Sequence, residues 1–162
     1  MSFKIQPFEP KYQSGVIELI ERIQEGEFKL TIEDAQRKEL QSIPQSFQKK
    51  NGNYWVALFN EKVIGTIAVI DIEHQSFELR DVFLDKDHRG VTGYAKKLLD
   101  TVLSWSKEHQ VNTIYLGTMN RFEAAQHFYK KHGFKEINRS DMPSYCKPMD
   151  CDEKFYLLDL KI

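Results

Sequence analysis

The chain reads as an α/β (α+β) domain, a central mixed and mostly antiparallel sheet flanked by helices, and three observations predict it. Residues 54–59, 63–72 and 76–84 are apolar, β-branched runs joined by short turns, the pattern of consecutive antiparallel strands. From Ala95 the period changes: Ala95, Leu98, Leu99, Val102 and Leu103 fall at i, i+3, i+4, i+7 and i+8, one face of a helix. After that helix, Thr113-Ile114-Tyr115-Leu116-Gly117-Thr118 has the length and composition of a buried parallel strand. Strands first and a helix between strands later make a mixed sheet. At 162 residues the chain is expected to be one domain, 1–162, large enough to bury a real core.

In chain order, Phe3-Lys4-Ile5-Gln6-Pro7 alternates as a strand and stops at its proline. The spacing predicts a helix from about Ser14 to Gln24 with Val16, Leu19, Ile20 and Ile23 inward, then a loop at Glu25-Gly26-Glu27-Phe28. A second helix is expected from about Thr31, its side chain capping the first turn, to Phe47, interrupted near Pro44. Asn51-Gly52-Asn53 is a turn, and Asn60-Glu61-Lys62 closes a hairpin between the next two strands. A helix over residues 122–132 carries Phe122, Ala125, Phe128 and Tyr129 on one face, with Gly133 as its left-handed cap. The last strand is expected at 154–160, after a loop at 139–153.

Composition removes several function classes. Lysine and arginine number 23 against 24 acids, without the basic excess of a nucleic-acid binder. No apolar run approaches the length of a membrane span and the first residues lack a signal-peptide core, so a cytoplasmic protein is expected. Cys146 and Cys151 are not spaced as zinc ligands and read as reduced thiols. His127 and His132 are five apart, a spacing that does not place two ligands on one helix face, so no metal is expected.

The centre of the sequence is 78–99, a strand, a glycine-bearing loop and a helix. Main-chain N–H groups of such a loop and of the first helical turn lack internal partners and sit at the positive end of the helix dipole, which makes a phosphate seat. Neither Gly-x-x-x-x-Gly-Lys-Ser/Thr nor Gly-x-Gly-x-x-Gly is present. Arg89-Gly90-Val91-Thr92-Gly93-Tyr94-Ala95 resembles instead the loop with which GNAT N-acetyltransferases wrap the pyrophosphate of acetyl-coenzyme A, with one residue more between the arginine and the second glycine. Asn120 to Phe134, with Phe128-Tyr129 and Gly133-Phe134, is similar to the second signature of that family, although Phe122 stands where the family has asparagine and Asn120 would serve from the loop.

The resemblance implies a GNAT-like fold with a splayed pair of parallel strands and acetyl-CoA as donor, with no metal. It implies donor binding by Val82, Phe83, Leu84, Arg89, Gly90, Val91, Thr92, Gly93, Tyr94, Ala95, Asn120 and Phe122, Lys96-Lys97 being a solvated face that also attracts a phosphate. Tyr129 matches the family's general acid, although at helical spacing a tyrosine also reads as a packed core residue. Glu78 matches a glutamate that some members use as base, and reads equally as a carboxylate paired with a cation at a strand end. Simple alternation places Glu78, Arg80 and Val82 on one face of the strand and Leu79, Asp81 and Phe83 on the other. Phe28, Trp55 and Glu78 are expected at the acceptor, Trp55 reading as core or as pocket wall, with Arg22, Glu25 and Met142 lining the same pocket by analogy of position. The expected function is acetyl transfer to a small-molecule primary amine, against a protein N-terminal or lysine acetyltransferase and a non-catalytic acyl-CoA sensor. The expected partners are that amine, no nucleic acid and no membrane; a homodimer stays open.

Overall fold

Asn60 and Glu61 both take positive φ, 50° and 68°, the geometry of a two-residue turn whose twist matches the strands it joins. That turn folds β2 (Asn53–Phe59) directly onto β3 (Lys62–Asp71), which pairs in turn with β4 (Ser76–Leu84). The computed structural model describes residues 2–90 and 92–160; Val91, expected in the phosphate loop, lies outside them. Ahead of the hairpin come β1 (Phe3–Pro7), α1 (Gln13–Ile20), α2 (Asp34–Gln41) and α3 (Ile43–Ser46). After it come α4 (Tyr94–Glu108), β5 (Thr113–Thr118), α5 (Glu123–Lys131), β6 (Lys135–Ile137) and β7 (Lys154–Asp159).

The seven strands lie in the order β1-β2-β3-β4-β5-β7-β6, antiparallel except where β4 meets β5. One face packs Ile67, Phe77, Leu79 and Ile114 against Leu98, Leu99 and Val102 of α4 and Tyr129 of α5. The other packs Tyr54, Val56 and Ala68 against Val16, Leu19 and Ile20 of α1 and Leu40 and Ile43 beyond it. Each large side chain fully buried in this way, Tyr54, Phe47 and Phe77 among them, contributes about 1.5–3 kcal/mol of hydrophobic stabilisation before entropy is counted.

Three local expectations are corrected. The segment expected to be a loop is wound: Glu21–Glu27 continue α1 as a π-helix, with the Phe28 N–H donating to the Ile23 carbonyl at 3.0 Å. Thr31 caps nothing; α2 starts at Asp34 after Glu33, and the break before α3 falls at Ser42, with Pro44 inside the first turn of α3 where its missing N–H costs no bond. Finally, the alternation along β4 fails in its middle. Ala68 faces Arg80 but Thr66 faces Phe83, so Asp81 and Val82 together oppose the single residue Ile67, a β-bulge.

The bulge reverses which way every later side chain points. Asp81 turns to the α1 face, where its carboxylate accepts from the Tyr54 hydroxyl at 3.0 Å, while Val82 and Leu84 pack with the α4 face and Phe83 with the other. Asp81 takes φ 51°, a left-handed conformation that aspartate tolerates better than most residues. Thr66 Oγ1 holds it there by donating to the Asp81 carbonyl at 2.7 Å.

Candidate active site

β4 and β5 pair only from Ser76–Thr113 to Glu78–Tyr115. Beyond Glu78 the bulge carries β4 away from β5, which stays paired with β7 along its whole length, and the opening between β4 and β5 is a cavity of about 970 Å³. Its walls are the bulged half of β4, the end of β5, the π-helix with Phe28, the glycine loop with the start of α4, the inner face of α5, and Met149, Cys151 and Asp152 ahead of β7.

At one end lies the glycine loop. Gly90 and Gly93 have φ of 88° and 74°, and a side chain at either would meet no neighbour within 4 Å. They are therefore needed for conformation, and the space before them is open to a ligand. Thr92 ties the loop, its hydroxyl donating to the His88 carbonyl at 2.7 Å and accepting from the Tyr94 N–H at 3.3 Å. Arg89 Nε donates to the Leu84 carbonyl at 2.7 Å, and its two terminal nitrogens grip the Glu27 carboxylate at 2.6 and 2.8 Å. That guanidinium holds Glu27 below the usual carboxylate range. Arg22 makes a parallel link to Asp85 at 2.8 Å, so the π-helix is clasped to the loop at two points. Lys96, Arg121 and Lys131 also line the cavity. Open loop, helix N-terminus and cations together fit a polyanionic nucleotide.

The other end is acidic. Glu78 is 3 % exposed and faces Arg80, Asp152, Glu39 and Asp81. Burial, opposed by Arg80 and reinforced by the three acids, raises its pKa to about 7. Arg80 Nη2 bonds Glu39 at 2.6 Å; burial works against its charge, and Asp81, Glu39 and Glu78 more than offset that. Asp152, likewise raised by burial, accepts from the Met149 N–H at 3.0 Å. Tyr129 lines the cavity, and burial followed by the Asp152 charge raises its phenol, which stays protonated. Cys146, pushed up to about 12 mainly by burial, is a thiol at neutral pH and not a nucleophile.

Of the residues expected at the site, Val82, Phe83, Leu84, Arg89, Gly90, Gly93, Ala95, Phe122, Phe28 and Tyr129 line the cavity. Glu78 stands one layer behind the lining, at the last rung shared with β5. Others lie elsewhere. Tyr94 turns outward and stacks on Phe3 at 3.8 Å, and Thr92 ties the loop from behind. Asn120 is held through its main chain by Glu153 and Gln126. Trp55 packs edge-on against Trp105 in the core, 5.5 Å between centroids. Glu25 accepts from the Ile32 N–H, Arg22 is engaged by Asp85, and Met149 takes the place expected of Met142. Asp81, Glu39 and Asp152 went unforeseen. Asp152 stands two residues before β7, whose pairing with β5 is a relation of register that no local signal in the sequence carries.

Comparison with known proteins agrees with this geometry. Residues 17–134 match the model of the acetyltransferase (GNAT) family. An acetyltransferase of the GNAT family from Staphylococcus aureus has 35% sequence identity and a TM-score of 0.94 over 99% of this chain and 100% of that one. The PaiA N-acetyltransferase of Thermoplasma acidophilum, crystallised with coenzyme A, shares the fold at TM-score 0.72 and 16% identity, over 98% of this chain and 99% of that one. Human N-acetyltransferase 8B is 27% identical over 135 residues, 80% of this chain but only 59% of the relative's length. On the family match, on a near-complete superposition at 35% identity, and on a bulged β4 splayed from β5 above a glycine loop, the chain belongs to the GNAT family of acetyltransferases.

Proposed function

We propose that the protein transfers an acetyl group from acetyl-coenzyme A to a primary amine of a small molecule, by direct attack of the amine, with Glu78 as base and Tyr129 as acid. Acetyl-coenzyme A, when bound, supplies a thioester whose carbonyl carbon takes the new C–N bond and whose C–S bond breaks. The observation that carries the reading is that Glu78 and Tyr129 both face Asp152 at one end of the splayed cavity. A carboxyl of pKa about 7 is half ionised at neutral pH and accepts a proton from an ammonium, while a buried phenol is a donor.

The chain's own groups divide the proton traffic. Glu78, set behind the lining, takes the first ammonium proton through one water. A second proton leaves the nitrogen as the amide forms, Tyr129 hands one to the departing sulfur, and solvent restores the phenol, so one proton is released per turnover. The glycine loop, the α4 N-terminus, Lys96, Arg121 and Lys131 hold the phosphates, in keeping with the coenzyme held by a neighbour of the same fold. A cavity of this volume, walled on one side by the segment before β7, suits a small ligand better than a protein tail. A pure sensor would need neither proton-transfer group.

Thiol release from acetyl-coenzyme A over a panel of amines, amino acids and peptides tests the reading. Release with small amines is expected. Release only with peptides would move the assignment to protein acetylation, and donor binding without release to any acceptor would leave a sensor.

A further inference from the structure

Asp152 belongs to no signature of the sequence, yet it lines the cavity at the fork between β4 and β5, and its charge acts on both groups assigned to proton transfer. Gly117 makes this possible: a Cβ there would stand 2.5 Å from Asp152 Oδ2, so only glycine lets the carboxylate lie flat on β5. The Met149 N–H holds Oδ2 at 3.0 Å, and the next residue, Glu153, locks the backbone by donating to the Thr118 carbonyl at 2.8 Å. Among the described residues no hydrogen-bond donor reaches Oδ1 of Asp152. The same is true of the Glu78 carboxylate, 3 % exposed and facing Asp152.

Charge at this end is uneven. Glu39, Glu78, Asp81 and Asp152 surround the single guanidinium of Arg80, and Arg80 already spends its shortest bond on Glu39 at 2.6 Å. Arg139 acts on Asp152 from the far side, where it lies over the Phe155 ring. Among the described residues no buried side-chain oxygen lacks a partner, so these free carboxylate oxygens are not sealed from solvent, and a cationic ligand can pair with them. A ligand carboxylate placed here would meet like charge instead.

We propose that Asp152, seated on Gly117, is a specificity-determining residue that selects an acceptor carrying a second cationic group and no carboxylate, with Asp152 binding the second cation while the reacting nitrogen faces Glu78. The inference rests on the transferase reading for the word acceptor, but not for the binding itself. A charge-assisted hydrogen bond in a desolvated site corresponds to roughly 10- to 100-fold in affinity.

Three amines of one length separate the possibilities: butylamine, diaminobutane and aminobutyrate, measured by thiol release and, independently, by calorimetric binding to the enzyme saturated with coenzyme A. Diaminobutane is expected to exceed butylamine by roughly tenfold or more in kcat/KM and in affinity, with aminobutyrate weakest. Asp152→Asn keeps the shape and an acceptor for the Met149 N–H, and should erase the preference, the ratio of diaminobutane to butylamine in kcat/KM and in calorimetric affinity falling to about one, whatever loss of its charge beside Glu78 and Tyr129 does to the rate with both amines. Gly117→Ala keeps the charge but displaces it, and should weaken the preference without abolishing butylamine turnover. Equal use of butylamine and diaminobutane, preference for aminobutyrate, or a diamine preference that survives in Asp152→Asn would each overturn the proposal. Calorimetric binding of diaminobutane that is lost in Asp152→Asn, with no thiol release from any amine, would uphold the cation site and remove the transferase reading.

Discussion

The two ends of the cavity are made in different ways. The glycine-loop end is local: Arg89, Gly90, Thr92 and Gly93, the two glycines at positive φ, lie just ahead of the α4 N-terminus. The acidic end is assembled from Glu39 on α2, Glu78 and Asp81 on either side of a bulge, and Asp152 ahead of the last strand. The first end offers main-chain donors and exposed cations whose attraction to phosphate is screened by salt. The second offers buried and half-buried charges, where burial together with neighbouring acids, against Arg80, raises the Glu78 carboxyl to about 7. A generic anion grip thus sits beside a selective cation pocket. The difference teaches that donor and acceptor recognition in this chain can be broken separately.

Substitutions at the acidic end should cost turnover first. Tyr129→Phe is expected to lower kcat by about 100-fold or more while acetyl-coenzyme A affinity, read by calorimetry, hardly changes; unaltered turnover would remove the phenol from the mechanism. Glu78→Gln comes next. Wild-type kcat/KM should rise with pH through about 7 as Glu78 loses its proton, and the variant should lose that inflection, with its deficit, about 100-fold, greatest above it.

The same Glu78 substitution has a stability signature of known sign. A carboxyl whose folded pKa lies above its unfolded value binds more protons in the folded state, so it costs stability as pH rises from about 4.5 to about 7. Glu78→Gln should therefore be more stable than wild type at pH 8, by about 1–3 kcal/mol, and gain little at pH 4. Denaturant melts at the two pH values measure it, and an equal difference at both would contradict the buried carboxylate.

Changes at the glycine end should act on the donor and spare the acceptor. Gly93→Val forces a β-branched residue to positive φ, and KM for acetyl-coenzyme A should rise about tenfold with about 1–2 kcal/mol of lost stability. The smallest effect belongs to Glu27→Gln. Both partners of the Arg89–Glu27 pair are partly exposed, so freeing the guanidinium for phosphate should lower that KM by only about two- to threefold, less at high salt. A rise would mean that the clasp on the π-helix helps to build the donor site.

How much of this was legible follows from the range of each interaction. The hairpin, the strand at 113–118, the inward face of α4 and the Gly133 turn that ends α5 were all written in spacing and turn chemistry, because each is satisfied within a few neighbouring residues. The π-helix was missed because a glycine among polar residues reads as a loop, whereas the links from Arg89 to Glu27 and from Arg37 to Glu21 that help hold it come from distant residues. The rings of Tyr94 and Trp55 stand outside the cavity lining because an aromatic side chain goes to whichever cluster offers contact, here Phe3 and Trp105, the second being the core alternative expected for Trp55.

The sequence by itself determined the succession of the main strands and helices, a glycine loop leading into a helix N-terminus, and a tyrosine on the inner face of the later helix, since those depend on local geometry and on a linear signature. Only the tertiary structure decided where the acids gather. A one-residue bulge reverses the faces of β4 from Asp81 onward, and a missing side chain at Gly117 admits Asp152. Both are relations between segments far apart in the chain, set by strand register and close packing, which no run of neighbouring residues encodes.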